Sequence, residues 1–175
     1  FAFEEENRRL RALLQSSQRD WEQVLIAEIL TVDFDPFKHL IQINKGSSDG
    51  VFTGHPILDA HGVMGQVIHV GPFSSTAILL TDPSHAIPVR VNRTGLRAIA
   101  MGTGQAEELE IPHIPNSADL RVGDLLVSSG LGMRFPSGYP VARISAITIN
   151  PAEPYATITA TPIAHLTLAR EVLLV

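Results

Sequence analysis

From Trp21 onward the chain is written in short runs of Val, Ile, Leu and Thr, each closed by Gly, Pro, Asp or Asn. Runs of about four to eight residues are too short for stable helices, and β-branched side chains suit a pleated surface, so each run reads as a strand. The expected strands are Ile26–Val32, Leu40–Asn44, Pro56–Leu58, Val63–Val70, Thr76–Thr81, Ile87–Val91, Arg97–Met101, Glu107–Ile111, Leu125–Ser128, Tyr139–Thr148, Ala156–Thr161 and Glu171–Leu174. No second long helical pattern interrupts them. So many strands exceed one small barrel, and an all-β fold of two packed barrels or sandwiches of about six strands each is expected.

The Pro-bracketed, polar stretch Pro112–Asp119 reads as the crossing between the two. An even division then requires residues 24–45 to join 113–175 in a first, discontinuous barrel, with 46–112 forming an inserted second barrel.

Before the strands, Phe3 to Val24 contains no Gly or Pro and is rich in Glu, Arg, Leu, Ala and Gln, which predicts a helix over 1–23. Steps of four and three pick out Phe3, Asn7, Leu10, Leu14, Ser17 and Trp21, a heptad seam with Asn7 at an a-type position. This predicts self-association as a coiled coil, although an amphipathic helix packed on its own domain has the same pattern. The chain opens at Phe1 with no Met and reads as the middle of a longer helix.

Composition narrows the chemistry. The net charge is −5 and no Lys/Arg cluster exceeds Arg8-Arg9, so nucleic acid is not an expected partner. There is no Cys, which removes disulfides, thiolate metal sites and Cys nucleophiles. Seven His residues are present, none with metal-ligand spacing, and they read as surface or turn residues. No metal and no cofactor is expected. Two barrels carrying Ser, His and Asp raise the chymotrypsin-like proteases, with His39, Asp82 and Ser128-Ser129-Gly130 as candidates, but no Gly-Asp-Ser-Gly or Gly-x-Ser-x-Gly occurs. Gly102-Thr103-Gly104 lacks the third Gly and the Lys of a phosphate loop. No catalytic residue is assigned. What remains are the turn-associated aromatics Phe34, Phe37, Phe52, Phe73, Phe135, Tyr139 and Tyr155, which are candidates either for partner contacts or for plugs at barrel ends.

Several runs resemble a known family. Asn44-Lys45-Gly46-Ser47-Ser48-Asp49-Gly50-Val51, Gly62-Val63-Met64-Gly65-Gln66-Val67 and Leu79-Leu80-Thr81-Asp82-Pro83 are similar to landmarks of MreC, the bacterial rod shape-determining proteins. The most specific runs are Val122-Gly123-Asp124-Leu125-Leu126-Val127-Ser128-Ser129-Gly130-Leu131-Gly132 and Phe135-Pro136-Ser137-Gly138-Tyr139-Pro140-Val141. Met133 and Ala142 stand where the family often has Gly. The resemblance implies chymotrypsin-like barrel architecture without the triad. It also implies the periplasmic part of a bitopic inner-membrane protein, a non-enzymatic scaffold for peptidoglycan synthesis during elongation. The implied partners are itself, a class B penicillin-binding transpeptidase and MreD, with MreB reached indirectly across the membrane. A periplasmic adaptor of an export system is the second reading, and it would need a helix that goes out and returns.

Overall fold

The computed structural model describes residues 6–8, 24–130, 136–166 and 170–175. Among the described residues thirteen strands run in chain order: β1 (Leu25–Asp35), β2 (Lys38–Ile43), β3 (Pro56–Leu58), β4 (Val63–Val70), β5 (Ser75–Leu79), β6 (Ala86–Val91), β7 (Arg97–Gly102), β8 (Leu109–Glu110), β9 (Ile114–Pro115), β10 (Leu125–Ser128), β11 (Pro140–Thr148), β12 (Tyr155–Pro162) and β13 (Glu171–Leu174). They form two closed six-stranded barrels. The first closes in the order β1, β13, β3, β4, β5, β2, all antiparallel. The second runs β11, β10, β6, β7, β8, β12 and closes by pairing β12 with β11, with β9 added on β12.

This pairing corrects the expected division. The inserted barrel is 86–162, not 46–112, and strands β1 and β2 belong with β3, β4, β5 and β13 rather than with the strands after 113. The stretch Pro112–Asp119 stays inside the second barrel, because Ile114 is buried and pairs with Ala156 on β12. The true crossings are Leu80–His85 and the connection from Pro162 to Glu171. Pro and polar residues mark a chain reversal, but they do not say which sheet the next strand enters.

Local chemistry explains the corners. In Asp35-Pro36-Phe37-Lys38, the Asp35 carboxylate accepts the amides of Phe37 and Lys38, both at 2.8 Å. In Asp82-Pro83-Ser84-His85, the Asp82 carboxylate accepts the Ser84 amide at 2.8 Å, and the His85 amide donates to the Asp82 carbonyl at 3.0 Å. Each is an Asx turn, in which the short carboxylate side chain stands in for a strand partner. Bulges between Ile29 and Thr31, between Val67 and His69 and between Ile144 and Ala146 add the local twist that closure needs.

Alternation builds the cores. In the first barrel Ile41, Ile43, Ala77, Leu79, Val172 and Leu174 point inward; in the second Ile87, Val89, Val91, Leu126, Ile144 and Ile158 do. Where alternation fails, both faces are covered. Ile57 lies in the first core while its neighbour Leu58 joins Val63, Leu80, Leu173 and Val175 in packing against the second. The run Val172-Leu173-Leu174-Val175 is therefore apolar throughout because the barrels share an interface there. Gly65 sits where β4 meets β5 so closely that a Cβ would lie 1.8 Å from the Ile78 carbonyl oxygen.

Of the expected N-terminal helix, Glu6–Arg8 are described, and they are helical and exposed. Asn7 is among them, whereas Phe3, Leu10, Leu14, Ser17 and Trp21 lie outside the described residues. Three helical residues do not make a coiled coil. Among the described residues no helix is long and apolar enough to cross a membrane.

Candidate partner-binding surfaces and the barrel junction

The residues that raised hydrolysis do not assemble for it. The fold brings His39 and Asp82 together, but it is the backbone amide of His39 that donates to the Asp82 carboxylate, at 2.9 Å. The His39 ring instead hydrogen-bonds the Thr81 hydroxyl through Nδ1 at 2.6 Å and stacks on Phe34 at 4.2 Å. Ser128 is fully buried; its hydroxyl donates to the Pro136 carbonyl and accepts the Tyr139 amide. A hydroxyl committed in both directions inside a core is a structural group. Among the described residues no three His, Asp or Glu side chains converge as a metal site.

What His39 and Asp82 build is a junction. Asp82 follows the last residues of the first barrel, and its carboxylate holds the β2 backbone and the Ser84 hydroxyl. Burial alone would raise its pKa, but hydrogen bonds from His39 and Ser84 outweigh that and hold the carboxyl below its usual range. His85 enters β6 with its Nε2 3.3 Å from the Gln66 Oε1 on β4 and its Nδ1 buried without a partner. Burial, opposed by the Asp82 charge, pushes the imidazole down to about 4. The second crossing is tied in the same way. Asp59 accepts the amides of His61 at 2.7 Å, Gly62 at 2.9 Å and His165 at 2.6 Å, and the His61 and His165 rings stack at 4.2 Å. Replacing Asp59 with Asn turns one acceptor oxygen into a donor facing one of these amides. A loss of about 1–2 kcal/mol in urea unfolding is expected, with the secondary structure unchanged by circular dichroism.

Histidines expected at the surface are thus often interior, with His39, His55 and His85 all buried. His55 lies under Phe52 at 4.1 Å, and burial lowers its pKa. In the second barrel Arg93 grips Asp124 through Nε at 3.0 Å and a terminal nitrogen at 2.9 Å, and reaches Asp119 at 3.2 Å. The Arg93 guanidinium holds the Asp124 carboxyl below its usual range. This clamp pins the loop before β10.

The aromatic candidates separate into three kinds. Phe37 is 82% exposed at the β1–β2 tip and Phe73 77% exposed between β4 and β5. Phe52 and Tyr155 are about half exposed but leaning on neighbours, Phe52 on His55 and Tyr155 edge-on to His113. Tyr139 is buried in the core shared by the two barrels, which corrects its reading as partner-facing, and half-buried Phe34 plugs its barrel against His39. Phe135 lies outside the described residues. Sequence reasoning missed the exposed aliphatics Ile26, Leu30, Val32, Ile99, Met101 and Val122. Their strand patterns show two faces and leave open which one is wet.

Comparison with known proteins places this architecture. Residues 29–175 match the rod shape-determining protein MreC, barrel core. The cell shape-determining protein MreC of Haemophilus influenzae is 47% identical over 169 residues, covering 97% of this chain and 48% of that protein. The crystal structure of MreC from Pseudomonas aeruginosa superposes with a TM-score of 0.85 at 52% identity, covering 88% of this chain and 99% of that one. A complex between PBP2, a penicillin-binding protein, and MreC from Helicobacter pylori shares the fold, with a TM-score of 0.59 at 15% identity over 86% of this chain and 97% of that one. The chain spans about half the length of the curated relatives it matches. With its two barrels and more than four-fifths of its length matched, the chain belongs to the MreC family of cell shape-determining proteins.

Proposed function

We propose that this chain is the barrel region of a periplasmic scaffold, tethered to the inner membrane through the segment before its N-terminal helix, that organises peptidoglycan synthesis in the elongation machinery. It does so by contact with a class B penicillin-binding transpeptidase and with MreD, and through them with MreB across the membrane. Self-association through Asn7, Leu10 and Leu14 brings copies together. The observation that carries the reading is the combination of two barrels fused through a shared core with apolar side chains left projecting from them. Single apolar residues on a surface are ordinary, but Phe37 and Phe73 are large, exposed and held on turns between paired strands. The Helicobacter pylori complex supports the choice of partner, since there a member of the family is bound to a penicillin-binding protein.

The test is binding of the purified chain to the periplasmic region of such a transpeptidase from the same cell. Saturable binding in the micromolar range or tighter is expected by calorimetry. Two folded proteins that give no heat and no co-elution overturn the partner assignment.

A further inference from the structure

The outer face of β6 and β7 carries a surface that no turn aromatic belongs to. The register sets Ala86 opposite Met101, Pro88 opposite Ile99 and Arg90 opposite Arg97. The alternate residues Ile87 and Ala100 fill the core, so all six side chains of those pairs stand on the outside. Ile99 is 49% and Met101 39% exposed. Two apolar cross-strand pairs are thus followed directly by a pair of arginines.

That arginine pair is the informative part. Like charges directly opposite on neighbouring strands repel, and a folded sheet normally separates them or supplies an acid between them. Neither Arg90 nor Arg97 makes an ion pair or hydrogen bond among the described residues, whereas Arg93, three residues after Arg90, is fully engaged by two aspartates. The nearest acid in the register is Glu110, opposite Met101 at the other end of the stripe. The face therefore runs from basic through apolar to acidic, in a chain whose net charge is −5. Arg and Met are the residue types enriched at protein interfaces, and an Arg fork is best satisfied by a carboxylate.

The geometry points to this face as the docking surface for a protein segment that presents carboxylates beside apolar side chains, the carboxylates seated on Arg90 and Arg97 and the apolar groups on Ile99 and Met101. The inference rests on the scaffold reading and assigns the segment to the transpeptidase.

The test measures the affinity of the immobilised periplasmic transpeptidase for wild type, Arg90→Glu/Arg97→Glu, Ile99→Ser and, as a control on β4 of the other barrel, Ile68→Ser, an exposed apolar position remote from this face. All variants are first checked for an unchanged thermal midpoint. The double reversal is expected to weaken binding by about tenfold or more at ~0.1 M salt, chiefly through a slower on-rate; Ile99→Ser weakens it also, and Ile68→Ser leaves it unchanged. Wild-type affinity in the double reversal and in Ile99→Ser overturns the face while leaving the scaffold reading intact. Failure of wild type itself to bind overturns the reading and the assigned partner together. A change confined to self-association in sedimentation assigns the face to a second copy and likewise overturns the proposal.

Discussion

Gly65→Ala is expected to destabilise the chain by about 3–4 kcal/mol, lowering the thermal midpoint by roughly 6–16 °C. The added methyl would lie 1.8 Å from the Ile78 carbonyl oxygen and 3.0 Å from the Leu79 Cα. Both are backbone atoms of the neighbouring strand β5, so no side chain can swing away to make room. Relief requires β4 and β5 to separate where Gly65 pairs with Leu79, and Leu79 is buried in the first core. Gly95→Ala is the control. Gly95 has φ +79° and nothing within 4 Å of a Cβ, so only the left-handed backbone resists the change, at about 1 kcal/mol. Equal losses at the two positions would show that the close strand approach is not the cause.

The second large effect is a dependence of stability on pH set by His85. Its folded pKa is lowered from 6.5 to about 4 by burial, so the unfolded chain binds a proton across that range while the folded chain does not. Stability is complete above about 6.5 and is lost as pH falls toward 4, by about 3 kcal/mol in all. His55, also lowered by burial, acts in the same direction. Thermal midpoints at pH 7.5 and 4.5 are expected to differ markedly for wild type and much less for His85→Leu, which removes the titrating ring at the cost of its contact with Gln66. A variant that keeps the full wild-type difference would place the effect elsewhere. Because His85 opens β6 and touches β4, the acid-weakened region is the seam between the barrels.

The candidate surface divides along the same lines. Phe37 and Phe73 were legible as turn residues, each directly after a proline, Pro36 and Pro72, but only the structure shows that they are exposed and not plugs. Tyr139 also stands at a corner beside a proline, with Gly138 before it and Pro140 after it, yet it is buried, because the first barrel lies against that corner. Ile99 and Met101 carried no signal at all. In Arg97-Ala98-Ile99-Ala100-Met101 the larger side chains fall on one face and the alanines on the other, and pattern alone favours the larger ones for the core. The barrel turns the alanines inward, because its interior at β7 is already filled by Ile87, Val89 and Leu126 from neighbouring strands.

Local chemistry in the sequence determined all the strands but β9, the absence of thiol chemistry and the family resemblance. These depend on residues within a few positions of one another. Only the tertiary structure decided which strands share a barrel, since β1 is paired with β13 by the contact of Leu25 with Leu174 at the far end of the chain, and no local pattern encodes a closure of that span. It also decided that the inserted barrel is 86–162, and that the junction draws its polar groups from His39, Asp59, Asp82 and His85. A strand has two faces of equal period, and which of them becomes a core, a seam or an open surface is set by what the rest of the fold places against it.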